Sequence, residues 1–249
     1  PTLEQSLNFL ELSAADRDWE LLVVDDGSDD GTADWAAAQR PDDARLRVIR
    51  SPTNCGKGAA LAAGVLHATG ERLLFMDADG GTPLSALPSL EAVMDARGCG
   101  VVVGARGGEK NKRVWYREIM GVVFAALTAT CVSSEVKDTQ CGFKLLTREA
   151  ALSTMPHLRV RRWAYDVELL FLCEQLNLGV ASCPVPSTDV AGSKITVLTP
   201  AEMALDVLKV SLLYRVGPWD LPSGGAAQEM VTEAGERGAA GEYVEVSRR

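Results

Sequence analysis

Short apolar runs closed by turn residues alternate with stretches of helical periodicity along the first hundred residues. Glu20 to Val24, Arg45 to Arg50, Arg72 to Met76 and Gly100 to Val103 read as strands, the second through its alternation of charged and apolar positions. Helices are expected over Thr2 to Leu12, where Leu3, Leu7 and Leu10 share a face, and over Ala33 to Gln39 behind the cap-rich Ser28 to Thr32. Two more are expected from the Asn54 to Gly58 loop through His67 and over Leu84 to Ala96. This alternation predicts an α/β fold with a mostly parallel sheet flanked by helices.

The pattern changes after residue 104. Arg106 to Arg117 is a basic loop, Trp115 to Val132 an apolar helix, and Asp138 to Leu146 a loop running into a short strand. Arg148 to Thr154 and Tyr165 to Gln175 read as helices, and Val180 to Pro186 as a strand that Pro184 and Pro186 place at a sheet edge. Pro200 to Tyr214 predicts a C-terminal amphipathic helix in which Glu202, Asp206 and Lys209 form a narrow polar strip and apolar residues cover most of the rest. Such a helix is buried or lies on a membrane surface. The expected organisation is one domain over residues 1–219 and a disordered tail over 220–249, where Gly, Ala, Glu and Arg dominate.

Net charge narrows the function classes. At −9 the chain has no basic excess for a nucleic-acid partner. The six cysteines form no CxxC pair and only two histidines exist, which argues against a zinc site and for reduced thiols in a cytosolic compartment. No apolar run reaches the ~20 residues of a membrane-spanning helix, and no signal peptide is visible.

The candidate chemistry lies at two strand ends. Leu21 to Val24 runs into Asp25-Asp26-Gly27-Ser28, and Leu73 to Met76 into Asp77-Ala78-Asp79-Gly80. Ligands of open α/β sheets bind outside the carboxyl ends of the strands, so both clusters are expected to open onto one site. Asp77 and Asp79 suit a hard divalent cation, Mg²⁺ or Mn²⁺, that bridges to a diphosphate. Side chains alternate along a strand, so one of Asp25 and Asp26 is expected to accept hydrogen bonds from a nucleobase or ribose and the other to cap the following turn. Asn54-Cys55-Gly56-Lys57-Gly58 is a helix-capping turn or a glycine loop with Lys57 in reach of the nucleotide. Arg106, Arg113 and Arg117, with Lys110 and Lys112, make a local basic cluster suited to a phosphate-bearing acceptor.

Val23-Val24-Asp25-Asp26-Gly27-Ser28, the Asn-x-Gly-Lys-Gly loop and Asp77-Ala78-Asp79-Gly80 resemble the inverting family 2 glycosyltransferases of the GT-A (Rossmann-like) fold. A second series, Asp138-Thr139-Gln140-Cys141-Gly142-Phe143-Lys144-Leu145, Arg162-Trp163-Ala164-Tyr165-Asp166-Val167-Glu168 and Gly192-Ser193-Lys194, is similar to the branch that glucosylates dolichyl phosphate. The resemblance implies transfer of glucose from UDP-glucose to dolichyl phosphate at the cytosolic face of the endoplasmic reticulum membrane. The product would be dolichyl β-D-glucosyl phosphate, for the lipid-linked oligosaccharide of N-glycosylation.

Carried over by motif, Asp25, Asp26, Lys57, Asp77, Ala78 and Asp79 would bind the donor, with Asp77 and Asp79 holding Mg²⁺ or Mn²⁺ on the diphosphate. Arg113, Arg117, Lys144, Arg162 and Lys194 would face the acceptor phosphate, and Asp79, Asp166, Arg117 and Lys194 would form the catalytic set. Asp166 stands where many family members keep a base. A phosphate monoester with a second pKa near ~6 is already a nucleophile, which leaves Asp166 to orient Arg162 or Lys144 or to contact the sugar. Such enzymes open with a strand ending in a Pro-x-Tyr-Asn-Glu type motif, behind a membrane helix, and this chain begins after both. A mannosyl or other polyprenyl-phosphate transferase, a metal-dependent nucleotidyltransferase and an inactive remnant are the alternatives.

Overall fold

The computed structural model describes residues 2–13, 17–107, 136, 138–188, 199–217, 219–222 and 243–246. In chain order its elements begin with α1 (Thr2–Ser13), β1 (Leu21–Asp25), α2 (Thr32–Ala37), β2 (Leu46–Arg50), α3 (Lys57–His67) and β3 (Arg72–Phe75). Then come α4 (Leu87–Arg97), β4 (Val101–Arg106), β5 (Lys144–Thr147), α5 (Arg148–Thr154) and α6 (Tyr165–Gln175). β6 (Val180–Val185), α7 (Thr199–Val216) and β7 (Val244–Glu245) complete the set, and 3-10 turns cover Leu84–Ala86 and Met155–His157. The apolar stretch from Trp115 to Val132 lies outside the described residues. Two compact units result, one from Pro1–Leu73, Thr147–Trp163 and Ser223–Arg249, the other from Leu74–Leu146 and Ala164–Pro222.

In the first unit β1 and β2 pair in parallel, Leu21 opposite Leu46 through Asp25 opposite Arg50. Alternation sends neighbouring side chains to opposite faces. Val23 and Val48 pack with Ala33 and Ala36 of α2, whereas Val24 and Ile49 pack with Ala60 and Ala63 of α3. Both faces are covered, as a parallel pair requires. The tail is ordered where it returns to this sheet: β7 pairs antiparallel with β2, and Tyr243 is buried against Ile49, Ala60 and Ala63. The disordered tail expected over 220–249 is thereby corrected at residues 243–246, because one aromatic and a short strand find a partner that local composition does not reveal.

The second sheet has the order β3-β5-β4-β6. β4 pairs in parallel with β6, which lies at the edge as its prolines predict, and antiparallel with β5. β4 runs three residues beyond the expected Val103, because Gly104, Ala105 and Arg106 continue the ladder opposite Cys183, Pro184 and Val185. Gly104 lies just past the expected end of the strand, yet it belongs to the strand. A side chain there would press on Cys141 Sγ, the Phe143 carbonyl and Val185. α6 is buried from Tyr165 to Cys173, the position of a helix that is apolar nearly all round. Its two buried acids each have a partner: Lys144 for Asp166 and the Tyr214 hydroxyl for Glu168, the latter at 2.6 Å.

Candidate functional site

The acidic turn after β1 is built by two carboxylates with separate tasks. Asp25 is buried, and its Oδ1 accepts the Ser28 N–H at 3.0 Å. Its Oδ2 faces the Arg50 guanidinium at 3.4 Å as an ion pair without hydrogen-bond geometry. Asp26 points the other way. Its Oδ1 accepts the Cys55 N–H at 2.8 Å and the Tyr243 hydroxyl at 2.7 Å, and its Oδ2 accepts the Gly56 N–H at 2.8 Å. The amides that open α3 therefore already hold an anionic group, a stabilising arrangement at a helix N-terminus. Asp26 and the glycine loop form one unit, with Lys57 half-buried at the first helical position.

Gly56 is required in that loop. Its φ is +100°, and a side chain would strike the Arg161 carbonyl and Arg162 Cγ. The Arg161 carbonyl also accepts the Ala59 N–H at 3.2 Å, so residues 161–162 brace the start of α3. Arg162 is exposed. The sequence left open which aspartate caps the turn: Asp25 does, while Asp26 reaches the loop. Tyr243, 217 positions from Asp26, is a member of this cluster that local sequence does not signal.

In the second unit Asp77 and Asp79 follow β3. Asp77 is half-buried and Asp79 exposed, with Asp79 Oδ1 accepting the Gly81 N–H at 2.9 Å. Ala78 between them is exposed. Among the described residues no group of three or more His, Cys, Asp or Glu side chains stands together as a metal cage. Two aspartates two residues apart nonetheless suit Mg²⁺ or Mn²⁺ held jointly with a substrate. These ions take one or two protein carboxylates and complete their shell with waters and phosphate oxygens.

Beside Asp77 lies the loop from Asp138 to Lys144. Arg106 grips Asp138 by a fork, Nε to Oδ2 at 2.7 Å and Nη2 to Oδ1 at 2.8 Å, with the Arg106 N–H to Oδ2 at 3.2 Å. Burial alone would raise the Asp138 pKa, but the Arg106 hydrogen bonds and charge outweigh it and hold the carboxyl below its ordinary range. The same bonds raise Arg106. Lys144 is fully buried, and its Nζ donates to the Cys141 carbonyl at 2.6 Å and to Asp166 Oδ1 at 2.5 Å. The Tyr165 ring lies 5.9 Å from the same ammonium, and burial, then the Asp166 charge, push its phenol well above its usual range.

Two expectations are corrected by this geometry. Lys144 does not face an acceptor phosphate, because it is sealed in the interior and neutralised by Asp166. Arg106 is not a free member of a basic loop, because it ends β4 and is bound to Asp138. Arg113, Arg117 and Lys194 lie outside the described residues. Cys55, Cys99, Cys141, Cys173 and Cys183 form no disulfide, and burial pushes the Cys173 thiol up to about 12.

Residues 1–153 match the model of glycosyl transferase family 2. The chain belongs to that family, and it is an enzyme of the glycosyltransferase class. It is 36% identical over 230 residues to a dolichyl-phosphate beta-glucosyltransferase of Trichomonas vaginalis, covering 88% of this chain and 68% of the relative. The dolichyl-phosphate beta-glucosyltransferase of Homo sapiens is 34% identical over 235 residues, covering 88% and 72%. Among solved structures, glucosyl-3-phosphoglycerate synthase from Mycobacterium tuberculosis, in complex with Mn²⁺, UDP-glucose and phosphoglyceric acid, superposes with a TM-score of 0.62 at 22% identity, covering 90% of this chain and 77% of that one. Mannosyl-3-phosphoglycerate synthase from Rubrobacter xylanophilus gives a TM-score of 0.65 at 20% identity, covering 90% and 72%. These likenesses show the GT-A fold.

Proposed function

We propose that this protein transfers glucose from UDP-glucose to dolichyl phosphate with inversion, giving dolichyl β-D-glucosyl phosphate at the cytosolic face of the endoplasmic reticulum membrane. The observation that carries the reading is identity of 31–36% over most of the chain to dolichyl-phosphate beta-glucosyltransferases from protists, yeast, fly and mammals. The Mn²⁺ and UDP-glucose of the mycobacterial structure support a nucleotide-sugar donor and a divalent cation. Asp26, with Lys57, serves the uridine end of the donor while the buried Asp25 braces the turn through Ser28 and Arg50, and Asp77 and Asp79 hold Mg²⁺ or Mn²⁺. When bound, that cation neutralises charge on the departing diphosphate.

The acceptor phosphate is the nucleophile. It is mostly dianionic at neutral pH, so no residue need take a proton from it. The Lys144–Asp166 pair supports this view, since Asp166 is committed to a buried ammonium. Arg113, Arg117, Arg162 and Lys194 remain the cations proposed for the acceptor. Neutralising and orienting its charge carries most of the task.

A lipid acceptor calls for a surface that meets the bilayer, and α7 supports one. No described helix is long and apolar enough to cross a membrane. On α7, Val207 and Val210 are fully buried, while Leu205, Leu208, Leu212 and Val216 are 58%, 49%, 59% and 72% exposed. The exposed four recur at helical spacing on the opposite side. Lys209, which donates to Asp206 Oδ1 at 2.8 Å, and Arg215 are both exposed and flank that stripe.

The test is transfer of radiolabel. The protein in detergent receives dolichyl phosphate, Mg²⁺ or Mn²⁺, and either labelled UDP-glucose or labelled GDP-mannose. Label entering the lipid phase from UDP-glucose is the expected result. Label from GDP-mannose alone, or from neither donor, overturns the reading.

A further inference from the structure

Gly142 sits against the carboxylate of Asp77. A Cβ placed on Gly142 would fall inside van der Waals distance of Asp77 Oδ1, Oδ2 and Cγ. No other protein atom is among its three nearest neighbours, so the space a side chain would fill is the space the carboxylate occupies. The loop that carries Gly142 has little freedom to retreat. Its start is gripped by Arg106 through Asp138, and Cys141 N–H donates back to the Asp138 carbonyl at 3.3 Å. Its end is held where Lys144 Nζ bonds both the Cys141 carbonyl and Asp166, and where Gly104 N–H donates to the Phe143 carbonyl at 2.9 Å. Phe143 and Cys141 are buried.

We infer that Gly142 is a positioning residue for Asp77: its missing side chain is the berth that sets the carboxylate's direction, and the Asp138–Lys144 loop holds that berth rigid. A methyl group at 142 forces one of two changes. Either the anchored loop shifts, or the Asp77 carboxylate rotates out of place. Rotation leaves the Arg106, Lys144 and Gly104 hydrogen bonds in place, whereas a shift of the loop strains them. Gly142 touches no substrate in this scheme and acts through Asp77. Its consequence for donor binding rests on the proposed function; the steric berth does not.

The experiment is a double-mutant cycle read in two ways. Thermal unfolding is measured for the wild type, Gly142→Ala, Asp77→Ala and the double variant. Gly142→Ala alone is expected to lower Tm by roughly 3–10 °C, and the same substitution in the Asp77→Ala background to have little effect. In parallel, UDP is titrated into wild type and Gly142→Ala with Mn²⁺. The variant is expected to bind ~10- to 100-fold more weakly, the scale for disturbing the support of a metal ligand. An equal fall in Tm in both backgrounds assigns Gly142 to the backbone and overturns the inference, as does a Gly142→Ala protein that matches wild type in both readouts. Failure of wild type itself to bind UDP with Mn²⁺ counts against the proposed donor, while the Tm cycle still decides the berth.

Discussion

Lys144 Nζ and Asp166 Oδ1 meet at 2.5 Å, with the lysine side chain wholly buried and the aspartate nearly so. Removing one partner strands a charge in the interior. Asp166→Asn and Lys144→Met should each lower the unfolding free energy by ~3–5 kcal/mol, and Lys144→Met/Asp166→Leu should recover most of the loss. Urea titration of the three variants measures this. Activity corrected for the folded fraction should fall by less than ~10²-fold in Asp166→Asn. A stable Asp166→Asn protein with a larger loss would identify Asp166 as a base and remove the phosphate-nucleophile reading.

Asp79 is exposed and ends a turn, so its replacement should cost little stability. Asp79→Ala is expected to abolish the Mn²⁺ dependence of UDP binding while leaving Tm within a few degrees of wild type. Calorimetric titration with and without EDTA measures it. An unchanged Mn²⁺ dependence would take Asp79 out of the metal set.

The exposed stripe of α7 separates lipid contact from folding. Leu208→Ser/Leu212→Ser alters two side chains that are about half exposed, so stability should hold within ~1 kcal/mol. Partition onto vesicles containing anionic lipid should fall at least ~tenfold, since burying each leucine contributes ~1.5–3 kcal/mol. Sedimentation with vesicles reads the change, and equal partition of wild type and variant would dismiss α7 as the contact.

His157 gives the fold a pH dependence near neutrality. Burial first, and then the charge of Arg159, lower its pKa below the ordinary 6.5. The folded state thus resists protonation while the unfolded state accepts it. Stability from this group is fully present above the unfolded pKa and is lost as pH falls from there through the folded value. Between about pH 8 and pH 5.5 the unfolding free energy should decline more steeply in wild type than in His157→Gln. Parallel slopes for the two proteins would show that His157 titrates alike in both states.

Local order is highly legible in this chain because its helices and strands are short and their apolar periods unmixed. α5 and α6 fall where their patterns place them, and β1 to β3 do so within one residue at each end. Errors occur where a distant partner decides. Gly104 stays in a strand because β6 continues opposite it, and Tyr243 leaves an otherwise uninformative tail to bond Asp26. The structure orders the acidic turn that the sequence left ambiguous, since Asp25 turns inward to Ser28 and Arg50 while Asp26 reaches the α3 loop.

Residue type and spacing alone determined the alternating α/β character, the two carboxylate clusters and the motifs of a glycosyltransferase, because these depend on neighbours within a few positions. Which charges remain available was decided only by tertiary structure. Arg106 is matched to Asp138 and Lys144 to Asp166, and Gly142 makes room for Asp77, through contacts between segments far apart in the chain. A cation in a sequence is a candidate for any anion. For Lys144, burial beside Asp166 removes that choice, because leaving either charge unpaired in the interior costs more than a passing phosphate could offer, whereas Arg106 is exposed and is held by its two-pronged grip on Asp138.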